Sequence, residues 1–133
     1  DDEFSSSIDQ IKLVSGKIQA GTSGPQIADL VLNINDKEKH STCEGSGPVD
    51  AIFNSIRDLF PHDADLQLYQ VHAVTQGTDA QAEVSVRLHE GGKTVVGRGA
   101  DTDTLVASAR AYIGALNRLI IKREKANPNL IEN

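Results

Sequence analysis

The sequence is short of aromatic residues, cysteine and long apolar runs, and each shortage excludes a class of protein. With no Trp or Met, two Tyr and three Phe, the core must be built from Val, Ile, Leu and Ala, whose small side chains easily leave shaped gaps. A single cysteine, Cys43, excludes an internal disulfide and fits a reducing cytoplasm. Because no run approaches the ~20 apolar residues that cross a bilayer, and no signal-like segment is visible, we expect a cytoplasmic domain without a membrane partner.

Positive charge is also scarce. Lys and Arg total 13 against 19 Asp and Glu, which gives a formal net charge of -6. Their one cluster is Lys122, Arg123 and Lys125. Since such a surface repels phosphodiesters, nucleic acid is not expected as a partner.

Strict alternation of apolar and polar residues predicts half-buried antiparallel strands in two places. One face of the first carries Ala28, Leu30, Leu32 and Ile34, and one face of the second carries Ala80, Ala82, Val84, Val86 and Leu88. Asn35-Asp36 and Gly91-Gly92 follow them as turns. Two earlier strands are predicted at about residues 11–21 and 66–77.

Helical spacing follows each hairpin. Pro48 suits a first helical turn, and Pro61 ends a run with apolar residues at Val49, Ile52, Phe53, Ile56 and Leu59. A second helix is predicted to begin near residues 101–103, with an apolar stripe of Leu105, Ala109, Tyr112, Ile113, Leu116 and Leu119.

The two halves read as a duplication. A shift of 52 residues lays Ala28 on Ala80, Leu32 on Val84, and the pair Gly45 and Gly47 on Gly97 and Gly99. Each half then reads strand, strand, strand, Gly-x-Gly, helix, which predicts an α+β fold of two pseudo-symmetric βββα repeats. We expect repeats at about residues 8–61 and 64–123, a linker tail at 1–7 and a C-terminal tail at 124–133.

The junction Gly-Ser-Gly-Pro-Val-Asp-Ala at residues 45–51 places two glycines and Ser46 before a helix whose first N–H groups have no internal partner. It predicts a site for a carboxylate, although the glycines could only turn the chain and Ser46 could only cap the helix. The junction at residues 97–104 adds Asp101 and Asp103, which would cap the second helix or meet an ammonium group, as could Asp50.

Three alanines near a tyrosine stand on strands where larger aliphatic residues would be expected: Tyr69, Ala73, Ala80 and Ala82. They could leave a slot for an alkyl side chain, or they could simply allow a helix to pack closely on the strands.

Catalytic chemistry has little support in the sequence. The four histidines, His40, His62, His72 and His89, are scattered, and Cys43 has no base beside it in the sequence. We therefore expect no metal, no cofactor and no catalytic residue in this chain.

Four segments, in order along the chain, carry a resemblance to a known family. They are residues 45–51 quoted above, Tyr-Gln-Val-His-Ala at 69–73, Asp-Ala-Gln-Ala-Glu at 79–83, and Gly-Arg-Gly-Ala-Asp-Thr-Asp-Thr-Leu-Val-Ala-Ser-Ala at 97–109. Together they resemble the C-terminal regulatory domain shared by 2-isopropylmalate synthase and citramalate synthase, over about residues 8–123.

This resemblance implies a homodimer of βββα repeats, joined in the parent enzyme to a catalytic TIM barrel that condenses acetyl-CoA with 2-oxoisovalerate on a divalent metal. It implies that a feedback inhibitor, leucine or isoleucine, binds between the repeats near the dimer interface. The contacts carried over by position in the motifs are Ser46, Val49, Asp50, Leu66, Tyr69, Ala73, Ala80, Ala82 and Thr104.

L-Leucine is the expected ligand, because alanines at 73, 80 and 82 leave depth for a γ-branched chain. The alternatives are a citramalate synthase domain that binds isoleucine, a dimerisation module without a ligand, and a stand-alone amino-acid sensor. An independent hydrolase is the weakest alternative, for want of a nucleophile and base.

Overall fold

The computed structural model describes residues 9–74 and 80–126, and they divide into two compact units between His62 and Asp63. The first unit contains β1 (Ile11–Gln19), β2 (Gln26–Ile34), β3 (Lys37–Gly45) and α1 (Pro48–Leu59). The second contains β4 (Asp65–Val74), β5 (Gln81–Glu90), β6 (Lys93–Asp101) and α2 (Thr104–Ala126). The predicted α+β fold, βββα twice, is confirmed.

Each unit holds a three-stranded antiparallel sheet whose strands lie in chain order. The predicted turns connect the second and third strands of each sheet: Asn35 and Asp36 have φ of 53° and 67°, and Gly91 and Gly92 have φ of 55° and 78°. Two consecutive residues with positive φ match the right-handed twist of the flanking strands, and these residue types tolerate that conformation. The central strands are the alternating ones identified in the sequence.

The core of each unit lies between its helix and one face of its sheet. In the first unit, Ala28, Leu30, Leu32 and Ile34 are buried, and α1 packs on β3 and β2. In the second, Val84, Val86 and Leu88 are buried under α2, which packs against β6 and β5. The other face of β5 carries polar side chains, as the alternation predicted, whereas that of β2 carries Asp29 and Asn33 together with Ile27 and Val31.

The repeat offset predicted from the glycine pairs is wrong. The two hairpin turns, the starts of β3 and β6, and the starts of α1 and α2 are each 56 residues apart. The irregularities of the first strands, at Leu13/Ser15 and Leu66/Leu68, are 53 apart. The offset of 52 matched glycines that hold different places in the two units, whereas the turns and helix starts mark equivalent positions.

The second Gly-x-Gly is therefore not a junction, because Gly97 and Gly99 lie inside β6. A Cβ on Gly97 would overlap the backbone of Ala111 and Ala115, so this residue lets α2 lie directly on the strand. Gly45 does the same for α1, since its Cβ would overlap the backbone nitrogen of Ala51.

Several predicted boundaries also move. β1 ends at Gln19, Ala80 precedes β5 instead of lying within it, and α2 begins at Thr104, just beyond the predicted start. The end predicted for the fourth strand, near residue 77, lies outside the described residues. So do the predicted N-terminal tail and residues 127–133 of the predicted C-terminal tail, while α2 reaches Ala126, three residues into that segment.

Candidate ligand site

At the start of α1, the carboxylate of Asp50 folds back over the glycine-rich loop. Its Oδ2 accepts hydrogen bonds from the backbone nitrogen of Ser46 at 2.8 Å and from the Ser46 hydroxyl at 3.3 Å. The Nδ2 of Asn54 lies 3.5 Å from the same oxygen and donates to the carbonyl of Glu44 at 3.0 Å. Ser46 thus binds Asp50 and does not cap the helix; the N-cap is Gly47, which has no side chain to offer.

Backbone N–H groups at and just before the start of α2 donate to nearby carboxylates. Asp103 accepts a hydrogen bond from the backbone nitrogen of Leu105 at 2.8 Å, which is the usual N-cap arrangement. Asp101 accepts from the backbone nitrogen of Asp103 at 2.9 Å and lies 3.7 Å from the Arg110 guanidinium. Capping, the ordinary role considered for these residues, is what the structure shows for Asp103, whereas Asp101 binds the residue just before the helix. The two helix starts therefore differ, and only that of α1 lacks a side-chain cap.

An apolar surface remains open on the edge strand β4. Tyr69 pairs with Val86 and Val71 pairs with Val84, so both lie on the sheet face that α2 packs against. Leu66, opposite Leu88, lies on the same face. Because α2 covers β5 and β6, Leu66 stays 43% exposed and Val71 stays 45% exposed. We call Leu66, Tyr69 and Val71 the open face of β4.

Tyr69 bridges this open face to α2. Its hydroxyl lies 2.7 Å from the hydroxyl of Ser108, which is fully buried. Ser108 in turn donates to the backbone carbonyl of Thr104 at 2.8 Å. The structure thus links two of the predicted site residues, Tyr69 and Thr104, through a third residue that was not predicted.

The predicted alanines lie toward the end of β4 and around the start of β5. Ala73 pairs with Ala82, and Ala82 pairs with Asp101 on β6. Ala82 is half-buried and lies on the face of Val84 and Val86. Ala80 lies just before β5 and is exposed. The second unit therefore brings Leu66, Tyr69 and Ala82 to one sheet face, with Thr104 at the start of the helix that covers part of it.

The remaining predicted residues belong to the first unit. Ser46 and Asp50 are exposed, and Val49 is half-buried in the first turn of α1. They form one cluster through the contacts of Asp50 described above.

Two residues of this surface were missed in the sequence, although signals for both were present. Val71 stands between Tyr69 and Ala73 in the alternation of β4. Ser108 is four residues after Thr104, which places both on one side of a helix. Neither side chain is unusual for its element, so neither was singled out.

Other chemistry is sparse in the part of the chain that the structure describes. No group of three or more His, Cys, Asp and Glu side chains within it is placed to hold a metal ion. The Nε2 of His40 contacts the Oδ1 of Asp29 on the exposed face of the first sheet. Among the described residues, neither helix is both long and apolar enough to cross a membrane.

The fold and the surface described above define the class: an α+β domain built from a duplicated βββα unit. The family follows from comparison with known proteins. The model of the LeuA allosteric (dimerisation) domain matches residues 1–120, and the chain belongs to that family. This confirms the resemblance that the four sequence motifs carry.

Curated relatives agree with this family. The chain is 57% identical over 125 residues to a 2-isopropylmalate synthase of Bradyrhizobium diazoefficiens. The aligned region covers 94% of this chain and 24% of that protein. It is 58% identical over 123 residues to the 2-isopropylmalate synthase of Rhodopseudomonas palustris strain BisA53, an alignment that covers 92% of this chain and 24% of that protein. The identity to the 2-isopropylmalate synthase of Nitrobacter winogradskyi is 54% over 128 residues, which are 96% of this chain and 25% of that protein. The chain thus spans about a quarter of the length of these relatives.

Proposed function

We propose that this chain is the allosteric domain of a 2-isopropylmalate synthase and binds L-leucine, the end product of the pathway, as feedback inhibitor. The parent enzyme would condense acetyl-CoA with 2-oxoisovalerate in a catalytic TIM barrel, which would also hold the divalent metal. The observation that carries the proposal is the open face of β4, whose Val71 lies diagonally across from the small Ala82, in a domain whose family is described as allosteric.

The second unit offers an apolar surface that suits the alkyl side chain of leucine. Leu66 and Val71 offer exposed apolar surface, and Ala82, with one methyl group, leaves room diagonally across from Val71 on the same face. Burying an isobutyl group on such a surface would contribute roughly 1.5 to 3 kcal/mol. A β-branched side chain is wider near its Cα, so isoleucine would meet the strand backbone earlier than leucine does.

The start of α1 carries groups of the kind that bind an ammonium or a carboxylate group. Ser46, Val49 and Asp50 stay the proposed contacts there: the Asp50 carboxylate for an ammonium group, and the helix N-terminus, whose N-cap is a glycine, for a carboxylate. At the start of α2 the Asp103 carboxylate already accepts a hydrogen bond from the backbone N–H of Leu105, and its negative charge disfavours a second anion there.

Isothermal titration of the chain with leucine and with isoleucine tests this proposal. We expect saturable binding of both, with leucine the tighter ligand by about tenfold, the difference that a change in branching supports in an apolar slot. A clear preference for isoleucine would assign the domain to a citramalate synthase instead. No binding of either amino acid would leave a dimerisation module without a ligand.

A homodimer is the second part of the proposal, because the family is described as a dimerisation domain as well as an allosteric one. Sedimentation velocity of the chain over a concentration series should show twice the mass of the 14.3 kDa monomer. A monomer at all concentrations would remove dimerisation from the function of this chain.

A further inference from the structure

Ser108 occupies an unusual position for a small polar residue. Its side chain is fully buried in α2, yet it makes two hydrogen bonds: one to the Thr104 carbonyl of its own helix and one to the hydroxyl of Tyr69 on the edge strand. The second bond joins α2 to β4, where the helix leaves the strand largely uncovered.

Counting protons fixes the direction of the bond between the two hydroxyls. A serine hydroxyl carries one hydrogen, and a carbonyl oxygen can only accept. Because Ser108 donates its hydrogen to the Thr104 carbonyl at 2.8 Å, its oxygen must accept from the phenol. Tyr69 is thus the donor at 2.7 Å, and any further group that meets the phenol oxygen must itself donate.

We propose that Ser108 is a positioning residue of the ligand site, a role that rests on the proposed function. By accepting the phenol hydrogen bond it holds the Tyr69 ring across the gap between β4 and α2, so the ring forms a fixed wall beside Val71, the next residue on the same face of β4. The distance between that wall and the alanine surface sets how large an alkyl group can enter. Ser108 acts through Tyr69 and does not itself contact the ligand.

Alternative roles for the hydroxyl explain less. For its own helix, the bond to Thr104 duplicates what the backbone provides, and such back-bonding slightly destabilises helices. For packing, alanine would fill most of the same volume without a buried polar atom to satisfy. The bond to Tyr69 is what the hydroxyl adds.

Ser108→Ala, Tyr69→Phe and the double variant test the proposal, with leucine and phenylalanine as ligands in calorimetry. A lost hydrogen bond of ordinary strength predicts about fivefold weaker leucine binding in Ser108→Ala. Release of the ring should also lower the preference for leucine over phenylalanine by about threefold, because the slot can widen. Ser108→Ala should have little further effect on either quantity when Tyr69 is already Phe.

A spectroscopic readout separates positioning from general packing. The chain has two tyrosines and no tryptophan, so the near-ultraviolet spectrum reports phenol hydrogen bonding directly. Ser108→Ala should shift the tyrosine absorption, and a further Tyr69→Phe change should abolish the shift. Ser85→Ala is the matched control, because Ser85 lies on the opposite face of the same sheet; it should change neither spectrum nor affinity.

The outcomes separate this inference from the proposed function. If the unsubstituted chain binds no leucine, the proposed function fails. If it binds leucine and a folded Ser108→Ala variant matches it in affinity and selectivity, the inference alone is overturned. Should Ser108→Ala not fold, Tyr69→Phe breaks the same bond from the strand side, and unchanged leucine affinity and selectivity there would also overturn it.

Discussion

Ala82 is the residue where bulk would most directly remove the proposed alkyl slot. It is half-buried on the sheet face of Val84 and Val86, diagonally across from Val71 of the open face of β4. We predict that Ala82→Leu weakens leucine binding roughly tenfold, because overfilling a packed site costs about 1–3 kcal/mol. Calorimetric titration measures this.

Ala100→Leu is the matched control for that change. Ala100 is exposed, pairs with Glu83, and lies on the opposite face of the same sheet. The same added volume there should leave leucine affinity unchanged. Equal weakening by both substitutions would show that the effect comes from the sheet as a whole and not from a slot at Ala82.

Individual side chains were predicted unevenly from the sequence, for physical reasons. Alternation of apolar and polar residues places each residue on one face of a strand, so the sequence could predict that Tyr69 and Ala82 share a face. The hydrogen-bond partner of the Tyr69 hydroxyl could not be predicted, because it depends on how far α2 covers the sheet. The Asp50 carboxylate folding back on Ser46 also depends on loop geometry that no periodicity encodes.

At the scale of elements, the contact between α2 and β6 depends on a glycine. A Cβ on Gly97 would overlap the backbone of two helical residues, Ala111 and Ala115, and neither can move without shifting the helix. Gly97→Ala should lower the free energy of unfolding by about 2 kcal/mol or more. Gly21→Ala is the control, since its Cβ would meet only the Ser23 carbonyl at 3.9 Å. Equal stability of both variants in urea unfolding would contradict close packing at Gly97.

The C-terminal part of α2 is held by an ion pair with the β5–β6 hairpin. Arg123 donates to Glu90 through Nε at 2.7 Å and through a terminal nitrogen at 2.6 Å, and Glu90 also accepts from the backbone nitrogen of Asp63 at 3.2 Å. Glu90 is 19% exposed, so removing the guanidinium leaves a poorly solvated carboxylate.

Arg123→Ala should therefore cost about 1–2 kcal/mol of unfolding free energy, more than an exposed ion pair contributes. Arg118→Ala, at an exposed position of the same helix, should change stability by less than about 0.5 kcal/mol. Chemical denaturation of both variants measures the difference. If Arg118→Ala is as destabilising as Arg123→Ala, loss of helix propensity and not the ion pair explains the result.

Elements were the best predicted level of the structure. Strands, hairpin turns and helices each leave a local signal, namely period two, residues that tolerate positive φ, and period 3.6 with Pro48 at a first turn. The repeat offset failed because glycines were taken as equivalent by type. Gly45 ends β3, whereas Gly97 lies in the middle of β6, and each admits a helix at a different point of its strand.

At the scale of the whole molecule, the chain is a duplicated domain in which the two units have diverged at their helix starts. The first has a glycine N-cap with Asp50 folded over the loop, and the second is capped by Asp103. An exact duplicate would present the same ligand surface twice. This divergence favours different roles for the two units.

Thermal unfolding with and without leucine tests most directly whether the folded domain is a leucine receptor. A ligand that binds only the folded state at a hundredfold excess over its Kd stabilises it by about 2.7 kcal/mol. We predict a midpoint that rises with leucine concentration, rises less with isoleucine, and does not rise with glycine. A midpoint that is unchanged at millimolar leucine, or that rises equally with all three, would contradict a specific leucine site.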